Sequence, residues 1–311
     1  MITFQVKKTS QYQGHRDSIY RLSSLNHTNK FLSASGDGMV VEWDTHQPDK
    51  GKLIINHANP VYSILYINDL DYLYTAENYF GIHLIDKKNH KQISATKIDD
   101  NVAFYDMKDY STHLFVGASD GLFYILDKYN LSLLHRLKIS SQNIRTIQVV
   151  SETNELLLGA SDGLIYVLDL SNFTVKHKIK AHESAVFKVL HDPNQKCLYT
   201  IGKDARLKKW TYNENFQLDK EVVAHMFALK DVTVNPLFPK LMATSSMDKT
   251  IKIWESQSLT LRKVVDRSRY NGHLNSVNSL LWLEDADNTL ISAGDDKLIM
   301  AWKLENLCEV P

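Results

Sequence analysis

The chain alternates short apolar runs with polar turns, and the unit around residues 185–225 shows the pattern most plainly. AVFKVLHDP (185–193) alternates apolar and polar positions into a turn at Asp192-Pro193, and CLYTIG (197–202) is a β-rich run. RLKKWTY (206–212) follows the Lys203-Asp204 turn, and FQLDKEVVAH (216–225) leads into the next unit. Period-2 runs of about five residues bounded by Gly, Asp, Asn and Pro predict short strands in an antiparallel meander of four. No stretch sustains apolar positions at i, i+3, i+4 and i+7, so few helices are expected.

The unit recurs. LSASGDGMVVEWD (32–44), YTIGKDARLKKWT (199–211), ATSSMDKTIKIWE (243–255) and ISAGDDKLIMAWK (291–303) each place an Asp six residues before a Trp. Weaker copies end at Ile85, Leu126 and Leu168. The third strands of the units thus end near residues 43, 85, 126, 168, 210, 254 and 302, at intervals of 42, 41, 42, 42, 44 and 48. Seven four-stranded sheets at this period predict an all-β chain, a single seven-bladed β-propeller over residues 1–311. The last unit stops shortly after Trp302, whereas a surplus β segment, ITFQVKK (2–8), precedes the first. That segment is expected to supply the missing outer strand of the last blade and so close the ring.

Composition narrows the function classes. Lys plus Arg and Asp plus Glu are 36 each, a net charge of zero. A general nucleic-acid or anionic-membrane binder needs an excess of positive charge, so neither partner is expected. The two cysteines, Cys197 and Cys308, show no ligand spacing and read as free thiols of a reducing compartment. The first residues, MITFQVKKTSQYQGH, lack the pattern of a secretory signal, and a cytoplasmic location is expected. No phosphate-binding Gly loop is present. The acidic stretches at 191–193, 218–222 and 283–288 lack calcium-loop order. No metal or cofactor site is expected.

A histidine joins the repeated Asp and Trp. His15, His182, His225 and His273 precede their Asp by 22 or 23 positions, each after Gly or Ala. With a Ser or Thr four residues before the Asp, four sets result: His15, Ser33, Asp37, Trp43; His182, Thr200, Asp204, Trp210; His225, Thr244, Asp248, Trp254; and His273, Ser292, Asp296, Trp302. With this spacing the whole chain resembles the WD-repeat family of β-propellers. The resemblance implies a hydrogen-bonded tetrad in each such blade, Trp to hydroxyl to His to Asp, that is structural rather than catalytic. A Ser/His/Asp set resembles a hydrolase triad, but here each hydroxyl is tied to a Trp within a strand. Blade 2 keeps His57 and Thr75 but has Tyr79 and Ile85 at the Asp and Trp places. Blades 3 and 4 keep Asp120 and Asp162, with Val116 and Leu158 at the hydroxyl place. Whole tetrads are expected to be lost together, because a half-satisfied network is worse than an apolar one.

The resemblance further implies a partner-binding face built from the residues three and five after each blade His and the one before the Asp. These positions give Tyr20, Tyr62, Arg145, Phe187, Lys230, Met247 and Asn278; blade 3, aligned on its first apolar residue, gives Asn101, Ala103 and Ser119. Tyr, Phe, Met and Arg are enriched where interfaces concentrate their energy. The expected function is a non-enzymatic scaffold that docks protein or peptide partners, acidic ones preferred, as a monomeric propeller within a complex. The alternative is a propeller enzyme or a cofactor- or metal-binding protein with a site at the central channel, for which Asp106 and His191 are isolated candidates.

Overall fold

The computed structural model describes residues 2–25, 29–98, 101–212, 216–284 and 288–309. Residues 285–287, within the last acidic stretch, lie outside the described residues. The described residues form seven antiparallel four-stranded sheets, and helix is confined to Arg267–Tyr270 and two short 3-10 turns. Six sheets follow chain order, as in blade 1: Ile19–Ser24, Lys30–Ser35, Met39–Asp44 and Lys52–Asn56.

The seventh sheet joins the two ends of the chain. Val277–Trp282, Thr289–Gly294 and Ile299–Glu309 supply three strands, and Ile2–Tyr12 supplies the outer one. The N-terminal strand runs antiparallel to the last, pairing Thr3 with Cys308, Val6 with Leu304 and Tyr12 with Ile299. Both thiols are free; Cys197 is buried and Cys308 exposed.

Burial follows strand rank. Second strands such as Cys197–Gly202 and Leu241–Ser246 are buried at every position, tetrad hydroxyls included. Fourth strands such as Leu133–Lys138 and Val175–Lys180 are almost wholly exposed. The sheets fall into two compact units, residues 1–56 with 225–311, and residues 57–224. In the second unit, apolar clusters fill the space between blades 2 and 3, 3 and 4, and 4 and 5. In the first, they join blade 6 to 7 and blade 7 to 1.

Candidate functional site

Every first strand carries a register shift at its second residue. The pairing skips between Ile19 and Arg21, Val61 and Ser63, Phe104 and Asp106, Ile144 and Thr146, Val186 and Lys188, Leu229 and Asp231, and Val277 and Ser279. The skipped residues are Tyr20, Tyr62, Tyr105, Arg145, Phe187, Lys230 and Asn278. A bulged residue leaves the ladder and re-aims its side chain, so one backbone irregularity sets the same position apart in all seven blades.

This assignment corrects blade 3, where the sequence alignment placed Ala103 at the bulge. The amide of the residue before the turn Asp bonds the carbonyl two before the bulge: Gly36 to Ser18, Asn78 to Pro60, Ser161 to Asn143, and in blade 3 Ser119 to Ala103 at 2.8 Å. Ala103 therefore corresponds to Ser18, and Tyr105 takes the bulge. Val102, an apolar residue ahead of the strand Phe104–Tyr110, made the strand look two residues longer than it is.

In residues 57–224 the bulge side chains meet in a row. The Tyr62 and Tyr105 rings stack at 6.0 Å with 22° between their planes. The Arg145 guanidinium lies 4.1 Å from the Tyr105 ring centre and 5.5 Å from that of Phe187. Arg145 Nε donates to Ser161 Oγ at 3.0 Å. With the Asn143 amide oriented to satisfy both its ends, its oxygen accepts from Arg145 Nη2 at 3.1 Å and its nitrogen donates to the Ser119 carbonyl at 2.7 Å. Burial makes the Arg145 cation easier to deprotonate than an ordinary arginine, with Tyr105 and Tyr62 acting against that. Among the described residues Arg145 makes no ion pair. The row is thus a half-buried cation set against two aromatic rings and held by neutral acceptors.

The remaining candidates lie in the other unit. Tyr20 packs over Gly36, where an added Cβ would sit 3.3 Å from its Cε2 and 2.9 Å from Asp17 Oδ2. Asn278 Nδ2 donates to the Ile19 carbonyl at 3.1 Å and to Asp295 Oδ1 at 2.6 Å, tying blade 7 to blade 1. Lys230 is half-buried on its bulge. Met247 is 48% exposed, and the same blade exposes Met226 (83%) and Phe227 (60%), which the repeat positions did not single out.

Each of the four His/Ser-Thr/Asp/Trp sets is a continuous chain. Trp43 Nε1 donates to Ser33 Oγ at 2.8 Å, His15 Nε2 meets that hydroxyl at 2.7 Å, and His15 Nδ1 meets Asp37 Oδ2 at 3.0 Å. The His182, His225 and His273 sets repeat these contacts at 2.8–3.0 Å. Each carboxylate also accepts the backbone amide after its histidine: Arg16, Glu183, Met226 and Leu274. The tetrad hydroxyls Ser33, Thr200, Thr244 and Ser292 are fully buried.

The other blades do not lose their networks whole. Asp120 accepts from Tyr124 Oη at 2.7 Å, and Asp162 from Tyr166 Oη at 2.7 Å and Ser140 Oγ at 2.6 Å. Each Tyr stands two residues before the Trp place, on the same face of its strand, and Ser140 stands at the His place. In blade 2 His57 Nε2 keeps its contact with Thr75 Oγ1 at 2.8 Å, while Glu77, not Tyr79, supplies the carboxylate, Oε2 lying 3.3 Å from His57 Nδ1. Burial and the neighbouring His83 push His57 down to about 4, against the pull of Glu77. Each of these carboxylates thus keeps a donor, because a desolvated one without donors is costly.

Asp106 and His191 do not converge on a site. Asp106 is buried, and its Oδ2 accepts the Ile147 amide of the next blade at 2.8 Å. The position after the bulge plays this part elsewhere: Thr146 toward Val189 at 3.3 Å, Asp231 toward Leu280 at 2.8 Å and Ser279 toward Leu22 at 3.1 Å. His191 packs against Tyr212 at 5.2 Å. No helix among the described residues is long and apolar enough to cross a membrane.

Residues 6–44, 221–255 and 265–303 match the family described as WD domain, G-beta repeat. These segments hold three of the four tetrads. Nuclear distribution protein PAC1 of Candida tropicalis is 29% identical over 124 residues, 39% of this chain and 24% of that protein. Human Coronin-2A is 37% identical over 87 residues, 27% of this chain and 17% of that protein. Protein transport protein sec13 of Aspergillus oryzae is 29% identical over 121 residues, 36% of this chain and 39% of that protein. The chain thus spans well under half the length of each of these relatives. The crystal structure of the WD40 β-propeller domain of Doa1 matches with a TM-score of 0.84 over 98% of both chains at 15% identity, which shows the fold. The chain carries WD repeats within a seven-bladed β-propeller.

Proposed function

We propose that the chain is a non-catalytic docking module and that Tyr62, Tyr105, Arg145 and Phe187 form its contact row for a protein or peptide bearing a carboxylate. The observation that carries this reading is the Arg145 guanidinium, stacked on two rings and bonded only to neutral groups among the described residues. A fixed, partly desolvated guanidinium is matched by a carboxylate, which it can hold through two parallel hydrogen bonds. The flanking rings add rigid area that costs little conformational entropy to order, the profile of residues that dominate interface energy. The tetrads support the non-catalytic half of the reading: each hydroxyl that could act as a nucleophile is buried between a Trp and a His. The relatives' names, nuclear distribution protein, coronin and protein transport protein, denote no reaction.

Affinity capture from lysate of the source organism with the Arg145→Ala, Phe187→Ala double variant tests the reading. The variant is expected to stay folded, with its stability lowered by about 0.5–2 kcal/mol for the lost cation–π pair, and to lose the proteins that wild type enriches. Recovery of the same proteins at the same level would place docking elsewhere.

A further inference from the structure

Blade 2 brings two imidazoles and a carboxylate to one point. His57 precedes the first strand, Val61–Ile67; Glu77 ends the second, Tyr72–Glu77; His83 lies within the third, Gly81–Asp86. Glu77 Oε2 is 2.7 Å from His83 Nε2 and 3.3 Å from His57 Nδ1, and the three atoms lie within 4.8 Å of one another. The residues are only 8%, 5% and 7% exposed. In the four tetrads the carboxylate meets a single imidazole.

The outer partners set the direction of each lone pair. In the tetrads the Trp indole donates to the hydroxyl, so the hydroxyl gives its own proton to His Nε2, and Nδ1 carries the hydrogen that faces the Asp. Ile85 stands at the Trp place in blade 2, so no indole donates to the Thr75 hydroxyl, which is able to accept from His57 Nε2–H across 2.8 Å. That tautomer leaves the Nδ1 lone pair facing Glu77. His83 Nδ1 meets Gln92 Oε1 at 2.9 Å; with its hydrogen donated there, the Nε2 lone pair also turns to Glu77. The Phe80 ring, stacked on His83 at 5.1 Å and 16°, fixes its plane. Glu77 Oε1 is held by the Asn59 amide and Nδ2 at 3.1 and 2.9 Å, which leaves Oε2 as the inward oxygen. Three donor atoms thus converge on one point, where either a proton, shared at the 2.7 Å His83–Glu77 contact, or a metal cation can hold them together.

We propose that His57 Nδ1, Glu77 Oε2 and His83 Nε2 bind a zinc-type divalent transition-metal ion, with a fourth position left to water or to a ligand from outside. Two imidazoles and one carboxylate are a donor set of borderline softness that suits zinc and its neighbours over calcium or magnesium. Each ligating ring would donate its other N–H to an oxygen, the outer-shell arrangement that orients metal-binding histidines. Zinc bonds of about 2.0–2.2 Å set tetrahedral donor separations near 3.4 Å. The 3.3 Å pair already meets that spacing, and the 2.7 Å pair reaches it by a small outward shift of His83. The site lies on blade 2, where the repeat departs from its tetrad, and is independent of the docking row.

The test uses the full chain stripped by chelator and titrated with zinc or cobalt(II). Wild type is expected to bind one ion per chain, to melt higher with the ion bound, and to give the absorption of tetrahedral cobalt. His83→Gln and Glu77→Gln are expected to lose the ion, Thr75→Val to weaken it by roughly 10–100-fold, and His273→Gln, in an intact tetrad, to retain it. X-ray absorption on zinc-loaded wild type keeps the proposal testable if a variant fails to fold; it should read two imidazoles and one carboxylate. No stoichiometric binding by wild type, unchanged binding by His83→Gln, or a coordination shell without two imidazoles would overturn the site.

Discussion

The guanidinium carbon of Arg145 lies 4.1 Å from the centre of the Tyr105 ring, so two bulge residues of neighbouring blades form one cation–π pair. Such a pair is worth about 0.5–2 kcal/mol, more as it is desolvated. Its larger effect is order: stacking holds a long, rotamer-rich side chain in one place before any partner arrives.

The tetrads are predicted to carry stability. Asp204→Ala removes the carboxylate on His182 Nδ1 and the acceptor for the Glu183 amide. The loss should be about 1–3 kcal/mol, as for buried polar groups stripped of a partner. Denaturant titration measures it; an unchanged midpoint would contradict the structural role.

Blade-to-blade contacts give a second stability test. Asp106→Ala leaves the Ile147 amide without its acceptor across the blade 3 to blade 4 junction. A cost of about 1–3 kcal/mol is expected, and hydrogen exchange at Ile147 should quicken. Unaltered protection at that amide would show that the carboxylate is not its acceptor.

Closure of the last sheet rests on the first strand. Deleting residues 2–8 removes the outer strand paired with Ile299–Glu309 and takes away the buried Phe4. The exposed edge should lower the melting temperature and promote aggregation. A monodisperse deletion variant of wild-type stability, checked by light scattering and calorimetry, would argue otherwise.

Acid should destabilise the fold in two stages. Burial holds His15 and His225 below the ordinary 6.5, against the pull of Asp37 and Asp248. These rings take a proton more readily when unfolded, so stability falls as pH drops through that ordinary value. For the turn carboxylates burial acts upward, but it is outweighed. Hydrogen bonds from the Arg16 and Met39 amides and from His15 hold Asp37 below 3.8, and those from His182 do the same for Asp204. Their contribution is complete above that ordinary value and is lost as pH falls below it. Melting temperature by calorimetry should therefore be flat above about pH 7 and decline below it, first through the histidines and then through the carboxylates. A melting temperature that rises between pH 6 and 4 would contradict the assignment.

Much of this was legible in the sequence because it repeats. The 22- or 23-residue His to Asp spacing and the Trp six residues later placed four tetrads, and the surplus 2–8 segment pointed to the outer strand of the last blade. What stayed hidden depends on side chains that change partner without keeping position. Glu77 replaces the blade 2 Asp from two residues earlier, and Tyr124 and Tyr166 replace Trp from two residues earlier. Such substitutions keep the strand face and break the spacing. Tyr105 was missed because Val102 extends the apolar run of blade 3 beyond its strand. His83 gave no repeat signal, since a polar residue inside an apolar third strand has meaning only beside Glu77 and His57.

Hydroxyl-radical footprinting of the partner complex captured from native lysate tests the docking row most directly. Tyr62, Tyr105 and Phe187 should be modified in the free chain and protected in the complex, while Tyr129, 48% exposed and outside the row, is modified in both. Unprotected Tyr62, Tyr105 and Phe187 in a complex that shields other residues would contradict it.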